Sequence, residues 1–234
     1  MIFVYHIPRT GGRSLEATIL SGKFPHDFMG IWSQCSTDSH EFGDVYVDAW
    51  TNTPQPQSWL AWSHKVFDDV MLPPKTFTIT MLRDPVQRFV SAYKLAWLTD
   101  GWIGPYLDYF YPYLKRDSLM DTARDMPPDV LCGQLRHFSA ALSVDEAAGR
   151  IASLSFVMQL ERFDDDVKRL SKYLGFNMTP QNIGNEFPQE LLDLVDDEST
   201  PSNRAELAAR LAPEYELFAK LREMEVIQRT FPSC

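Results

Sequence analysis

Two short segments of the chain combine residue types that bind phosphate-like anions. The first, HIPRTGGRSL, places a Gly-Gly pair between a β-branched strand pattern and a helical pattern. After such a turn, backbone N–H groups converge on the helix N-terminus, where the helix dipole favours negative charge. Arg9, Thr10, Arg13 and Ser14 add cationic and hydroxyl donors. The segment predicts a phosphate cradle, with a tight turn carrying two surface arginines as the alternative.

The second segment, TITMLRDPVQRFVSAYKL, places Arg83 at the end of a predicted strand and Ser91 two turns into the next helix. In an open parallel sheet, ligands bind at the carboxyl ends of the strands. Arg83 offers a guanidinium fork that suits a phosphate, and Ser91 offers a hydroxyl beside it. The alternative is that Arg83 pairs with Asp84 or a nearby acid, and that Ser91 is a small residue that only allows close helix packing. Asp84 and Pro85 predict the start of the helix.

Both segments require strand-turn-helix units, and the rest of the chain supplies a fold that holds such units. Apolar periodicity and turn residues predict strands at 2–7, 44–50, 59–63, 76–82 and 156–160. Helices are predicted at 13–21, from 85 onwards, and near 117–125, 128–140, 144–154, 162–174 and 203–229. We expect a single α/β domain over 1–234, with a parallel sheet and a largely helical C-terminal part.

The composition limits the classes of partner. The 22 Lys and Arg residues against 32 Asp and Glu give a net charge of −10, which argues against general attraction to nucleic acid or to an anionic membrane. Any bound anion must therefore be held by local groups. The three cysteines lack metal spacing, and the opening MIFVYHIPRTGG leaves no room for a signal peptide before the first motif. We expect a cytoplasmic protein.

Together the two segments resemble the nucleotide-binding motifs of one enzyme family. HIPRTGGRSL is similar to the 5′-phosphosulfate loop, and LRDPVQRFVSAY to the 3′-phosphate motif, of sulfotransferases that use 3′-phosphoadenosine 5′-phosphosulfate (PAPS). The resemblance is closest to the carbohydrate group that contains the heparan sulfate 2-O- and 6-O-sulfotransferases. QLERFDDDVKRLSKYLGF and LAPEYELFAKL resemble later segments of those enzymes. The resemblance implies a P-loop-like, three-layer fold.

The resemblance also implies roles for individual residues. The residues implied to hold the 5′-phosphosulfate are Arg9, Thr10, Gly11, Gly12, Arg13 and Ser14. Those implied to hold the 3′-phosphate are Arg83 and Ser91. The family usually has Lys in place of Arg9 and a small residue in place of Arg13. Arg9 is our candidate for neutralising the charge that gathers on the leaving phosphate, by analogy with phosphoryl transfer.

The reaction also needs a base, and histidine is the natural choice near neutral pH. The candidates are His6, His26, His40, His64 and His137. His64 follows a predicted strand in LAWSHKVF, and in the resembling enzymes a histidine in a similar strand-end position acts as the base. The alternative for His64 is a surface or supporting histidine. His6 is expected to pack and orient the loop, whereas His137 either approaches the ligands or lies on a helix surface.

Two further stretches have simple structural interpretations. Aromatic residues crowd 97–113 and form either an acceptor platform or, more simply, a satellite core; they are Trp97, Trp102, Tyr106, Tyr109, Tyr111 and Tyr113. Asp193, Asp196, Asp197 and Glu198 are interpreted as a solvated acidic loop, and Glu161 with Arg162 as an ion pair or a helix start.

These observations predict a PAPS-dependent sulfotransferase that acts on a hydroxyl of a carbohydrate or a related small acceptor, without a metal. The net charge favours a neutral acceptor over a polyanion. One alternative is an ATP-dependent phosphotransferase, although the glycine loop contains no Lys. The other is a non-catalytic module of the same fold that binds a nucleotide or a glycan.

Overall fold

The computed structural model describes residues 2–21, 60–72, 74–99 and 109–227. A sheet of four parallel strands lies at the centre of this part of the chain, in the order β2-β1-β3-β4. The strands are β1 (Ile2–Tyr5), β2 (Leu60–Ser63), β3 (Phe77–Leu82) and β4 (Phe156–Gln159). The predicted α/β fold with a central parallel sheet is confirmed. The strand predicted at 44–50 lies outside the described residues.

Helices surround the sheet. They are α1 (Gly12–Leu20), α2 (Pro85–Leu98), α3 (Leu119–Asp125), α4 (Pro128–Leu131), α5 (Gly133–Phe138), α6 (Val144–Ala152), α7 (Phe163–Leu174), α8 (Gln189–Glu198), α9 (Pro201–Arg210) and α10 (Ala212–Glu223). Single 3₁₀ turns lie at Phe67–Asp69, Tyr111–Tyr113 and Leu160–Arg162. Among the described helices, none has both the length and the hydropathy that crossing a bilayer requires.

The sheet is apolar on both faces, as expected for parallel strands between helix layers. On one face, Ile2 and Val4 of β1 join a cluster with apolar residues of α1 and α7. On the other face, Phe3 and Tyr5 join a larger cluster with residues of α2, α5, α6 and α10. Each leucine or phenylalanine that is fully buried there stabilises the fold by roughly 2 kcal/mol. The arrangement has three layers.

Three predictions of secondary structure differ from the structure. The helix predicted at 128–140 is interrupted at Cys132, where the backbone leaves the helical conformation. The helix predicted at 203–229 ends at Arg210 and begins again at Ala212, because Pro213 has no N–H and its ring disrupts a continuous helix. The acidic stretch near 193–198 is helical in α8 and is not a loop. Leu191 and Val195 are buried one turn apart, so their spacing favours a helix whose acidic residues occupy other faces.

Candidate functional site

The loop between β1 and α1 has the shape of an anion cradle. Arg9 and Gly11 both adopt the left-handed region, with φ of 71° and 96°. The hydroxyl of Thr10 donates to the carbonyl of Ile7 at 2.9 Å and closes the turn. Gly12 begins α1, so the first amides of the nine-residue helix face the loop without intrahelical acceptors. A side chain at Gly11 would also lie only 2.7 Å from Leu160 Cδ1.

The second anion segment begins where β3 ends. Asp84 caps α2 by accepting a hydrogen bond from the amide of Gln87, and Pro85 occupies the first helical turn, as predicted. Arg83 lies between the strand and the cap, half-buried. Burial lowers the pKa of Arg83, and the carboxylates of Glu161 and Asp84 oppose this shift. A half-desolvated guanidinium of this kind favours a neighbouring anion.

The two anion segments contact each other directly. Arg83 donates from Nη1 to the carbonyl oxygen of Arg9 at 3.2 Å. Arg9 in turn donates from Nε and Nη2 to Ser91 Oγ at 3.1 and 2.9 Å. The fold therefore brings together the residues implied for the 5′ end of the donor and those implied for its 3′ end, although 82 residues separate Arg9 from Ser91.

The candidate base is His64, and the ring of His6 lies between it and Gly12 of the cradle. The Nδ1 of His64 is 2.7 Å from the carbonyl oxygen of His6, and the two ring centroids lie 4.3 Å apart with their planes tilted by 32°. The ring of His6 covers Gly12 so closely that a Cβ there would lie 1.8 Å from Nε2 of His6. Because a carbonyl oxygen only accepts, Nδ1 of His64 carries the proton. Nε2 is then the basic nitrogen of the neutral ring.

The third described histidine, His137, is buried rather than on a helix surface. It is 4% exposed, and its ring packs edge-on against Tyr5. Burial and the nearby His64 lower the pKa of His137 from 6.5 to about 3. His137 is therefore neutral at physiological pH. Among the described residues, Nε2 of His137 has no hydrogen-bond partner.

The outer face of α1 is bound by a later segment of the chain. Ser14 Oγ accepts from the amide of Ile183 at 3.0 Å, and Thr18 Oγ1 accepts from the amide of Gln181 at 2.8 Å. Ser21 Oγ accepts from the amide of Thr179 at 3.2 Å and donates to its carbonyl. These contacts use the hydroxyl of Ser14, which the resemblance assigns to the donor, and they fix the helix beside the cradle.

Sequence reasoning missed a buried polar cluster behind Arg83. Gln134 binds the main chain of Arg83, and Glu214 binds Gln134. The guanidinium of Arg88 lies on Gly133, with its Nε 3.9 Å from a carboxylate oxygen of Glu214. One signal was present in the sequence. Glu214 interrupts the apolar stripe of α10, where its neighbours at helical spacing are Leu211, Leu217, Phe218 and Leu221.

The described part of the aromatic stretch is structural. Trp97 Nε1 donates to the carbonyl of Arg116 at 2.8 Å, and Tyr111 shares a 2.7 Å hydrogen bond with Thr99. Trp97, Tyr109, Tyr111 and Tyr113 all pack against the larger core cluster. These contacts favour the satellite core over the acceptor platform. Trp102 and Tyr106 lie outside the described residues.

Both anion segments fall within a region that matches a known family. Residues 1–100 match the Sulfotransferase family. The matched region is 100 of the 234 residues. A crystal structure of a sulfotransferase from Alicyclobacillus acidocaldarius is similar over 95% of this chain and 94% of that chain, with 15% sequence identity and a TM-score of 0.47. No curated protein matches the chain. Within the described residues, no cluster of His, Cys, Asp and Glu has the composition of a metal site.

Proposed function

We propose that the protein is a sulfotransferase that uses PAPS and acts on a hydroxyl of a carbohydrate or a related small acceptor. The observation that carries this proposal is the contact between the two anion segments, in which Arg83 binds Arg9 and Arg9 binds Ser91. Each segment contributes a half-buried guanidinium group, and a partly desolvated cation favours a ligand with negative charge.

The chain offers donors for both charged ends of PAPS. Arg83 and Ser91 would hold the 3′-phosphate. The helix amides that follow Gly11 would hold the 5′-phosphosulfate, together with Arg9, Thr10, Arg13 and Ser14. Bound there, PAPS would supply an activated sulfuryl group on a good leaving group.

Arg9 and the helix amides have the charge needed to stabilise the reaction. Sulfuryl transfer builds negative charge on the departing phosphate oxygen, and fixed donors lower the barrier because they are oriented before the reaction begins. The hydrogen bonds from Arg9 to Ser91 and from Arg83 to the Arg9 carbonyl orient this arginine. A lysine at position 9 would provide one charged nitrogen in place of a planar fork.

His64 is proposed as the base. Its Nδ1 proton points to the carbonyl of His6, which fixes the tautomer and leaves Nε2 to accept the proton of the acceptor hydroxyl. The ring contact with His6, which itself lies on Gly12, keeps this imidazole close to the N-terminus of α1. With a net charge of −10, the protein is expected to prefer a neutral acceptor.

Calorimetric titration of donor-site ligands tests the donor assignment. We expect the full-length protein to bind adenosine 3′,5′-bisphosphate, the desulfated product, much more tightly than ATP with magnesium. Arg83→Ala should weaken bisphosphate binding by about 10- to 100-fold, since a charged hydrogen-bonded pair is lost. Arg124→Ala is the matched control, because Arg124 is an exposed arginine that pairs with Glu206 away from the site.

The same titration separates the alternatives. Binding of ATP with magnesium, without binding of the bisphosphate, would contradict the sulfotransferase proposal and favour the phosphotransferase. Bisphosphate binding without turnover on any hydroxyl acceptor would favour the non-catalytic module.

Turnover of His64→Ala tests the base. We expect kcat to fall by about 10²- to 10⁴-fold, because general base catalysis contributes that much. The affinity for the bisphosphate should stay within about twofold of the wild-type value, because His64 contacts His6, which is not among the residues assigned to the donor. Unchanged turnover in this variant would show that another group acts as the base.

A further inference from the structure

We propose that Gln134 and Glu214 are positioning residues that determine how strongly the protein selects a nucleotide with a 3′-phosphate. This inference rests on the proposed function, because it concerns the same donor site. It adds two residues from the C-terminal half of the chain that act through Arg83.

Gln134 holds the main chain of Arg83 at two points. Its Oε1 accepts from the amide of Arg83 at 2.9 Å, and its Nε2 donates to the carbonyl of the same residue at 2.9 Å. Arg83 therefore has both of its peptide groups fixed by one side chain. Such a two-point contact limits rotation about φ and ψ, and with it the direction in which the guanidinium leaves the backbone.

Glu214 fixes Gln134 in turn. One carboxylate oxygen accepts from the amide of Gln134 at 2.6 Å, and the other accepts from its Nε2 at 3.1 Å. Gln134 and Glu214 are both 0% exposed, so neither side chain is open to a bound ligand. The contact that links this pair to the proposed donor site is the two-point hydrogen bonding of Gln134 to Arg83.

The residues on both sides of Arg83 are also held by hydrogen bonds. The next residue, Asp84, donates its amide to Glu161 at 2.7 Å and caps α2 with its side chain. On its other side, Leu82 is held in β3 by pairing with Gln159 of β4. Arg83 is the link between these two fixed elements. A change at Gln134 will therefore alter the direction in which the Arg83 guanidinium points, while β3 and α2 remain in place.

The alternative is that the cluster only joins α5 and α10 to the sheet. The two possibilities differ in what they do to ligand selectivity. Loss of a purely structural contact lowers stability and weakens every ligand alike. Loss of a positioning contact weakens only the part of the affinity that comes from the 3′-phosphate. The ratio of the Kd of adenosine 5′-phosphate to that of adenosine 3′,5′-bisphosphate isolates that part.

The experiment measures this ratio by calorimetry for the wild-type chain and for Gln134→Met, which keeps a similar shape but forms no such hydrogen bonds. We expect the ratio to fall by about tenfold, as for loss of a well-aligned charged hydrogen bond, with adenosine 5′-phosphate affinity kept within about twofold. Combining Gln134→Met with Arg83→Ala should lower the ratio no further than Arg83→Ala does alone, since both changes remove one interaction.

Two further variants make the result decisive. Thr122→Val is the matched control, because it removes the hydrogen bonds of a fully buried side chain in α3 and should leave the ratio unchanged. Glu214→Gln is a milder second test and should lower the ratio in the same direction, even where Gln134→Met does not fold. Thermal melts establish that each variant is folded before titration.

An unchanged ratio in a folded Gln134→Met or Glu214→Gln variant, beside a wild-type ratio that depends on Arg83, would overturn the inference and leave the proposed function standing. A wild-type protein that does not prefer the bisphosphate would overturn the proposed function itself.

Discussion

Arg9 carries both a charge and an unusual backbone conformation. Its φ of 71° lies in the region that glycine normally occupies, which costs an L-residue roughly 1–2 kcal/mol. The hydrogen bond from Arg83 to the Arg9 carbonyl helps to hold this conformation. Strained backbone conformations cluster at ligand-binding sites, which agrees with the proposed role of Arg9. Arg9 thus has the conformation expected of a residue whose position matters more than its local stability.

The lowered pKa of His137 predicts how the stability of the protein depends on pH. Its pKa in the folded protein is about 3, against 6.5 for an exposed histidine. Between these two values the unfolded chain binds a proton that the folded chain does not. The free energy of unfolding should therefore fall by about 2 kcal/mol from pH 7 to pH 5, and His137→Gln should lose this part of the acid sensitivity. Urea unfolding at the two pH values measures it.

Phe138→Leu is the control for this comparison. It disturbs the same buried cluster without removing a titrating group, so its destabilisation should be equal at both pH values. An acid sensitivity in His137→Gln that equals that of the wild-type protein would show that His137 does not titrate as its burial indicates.

At the scale of elements, the contact between His6 and Gly12 joins the end of β1 to the start of α1. A methyl group at position 12 would overlap the His6 ring, since its Cβ would lie 1.8 Å from Nε2. Gly12→Ala is therefore expected to destabilise the protein by roughly 3 kcal/mol and to displace His6, and His64 with it. Urea unfolding and bisphosphate titration of the same variant measure the two effects.

Gly149→Ala is the matched control, because Gly149 lies in α6 with nothing within 4 Å of its Cβ position. Gly149→Ala should leave the stability unchanged or raise it by up to about 1 kcal/mol, because Ala has a higher helix propensity than Gly. Adding His6→Ala to Gly12→Ala should recover part of the loss, since the smaller side chain leaves room for the methyl group. A Gly12→Ala protein as stable as wild type would contradict the close packing described here.

The elements that sequence predicted well are those with local signals. The β-branched runs of β1 and β3 are bounded by turn residues, and Asp84 with Pro85 marks the start of α2, so each has its cause in adjacent residues. The contact of Gln134 with Arg83 has no such signal, because 51 residues separate the two and a glutamine in a helix has many equivalent uses. The helix α8 has only a weak local signal, because its many acidic residues obscure the spacing of Leu191 and Val195.

For the whole molecule, the layered fold followed from the alternation of strands and helices, whereas the strand order did not. Parallel pairing of β1 with both β2 and β3 places the first strand in the middle of the sheet. Both anion segments consequently start from neighbouring strands, and their carboxyl ends share one edge. Sequence reasoning placed both segments at strand ends and, through the resemblance, assigned them to one ligand. It could not predict that Arg9 would reach Ser91, because that contact depends on side-chain directions across the sheet edge.

The segment that binds the outer face of α1 has a consequence for the order of folding. Ser14, Thr18 and Ser21 are synthesised before their backbone partners, which lie 158 to 169 residues further along the chain. Closing so large a loop is entropically unfavourable until the intervening layers have formed. On a ribosome, the anion cradle therefore emerges well before its outer wall, which is complete only after residue 183 has left the exit tunnel. A nascent chain stalled before that point would contain every residue that we assign to the donor and still lack the wall that holds their helix.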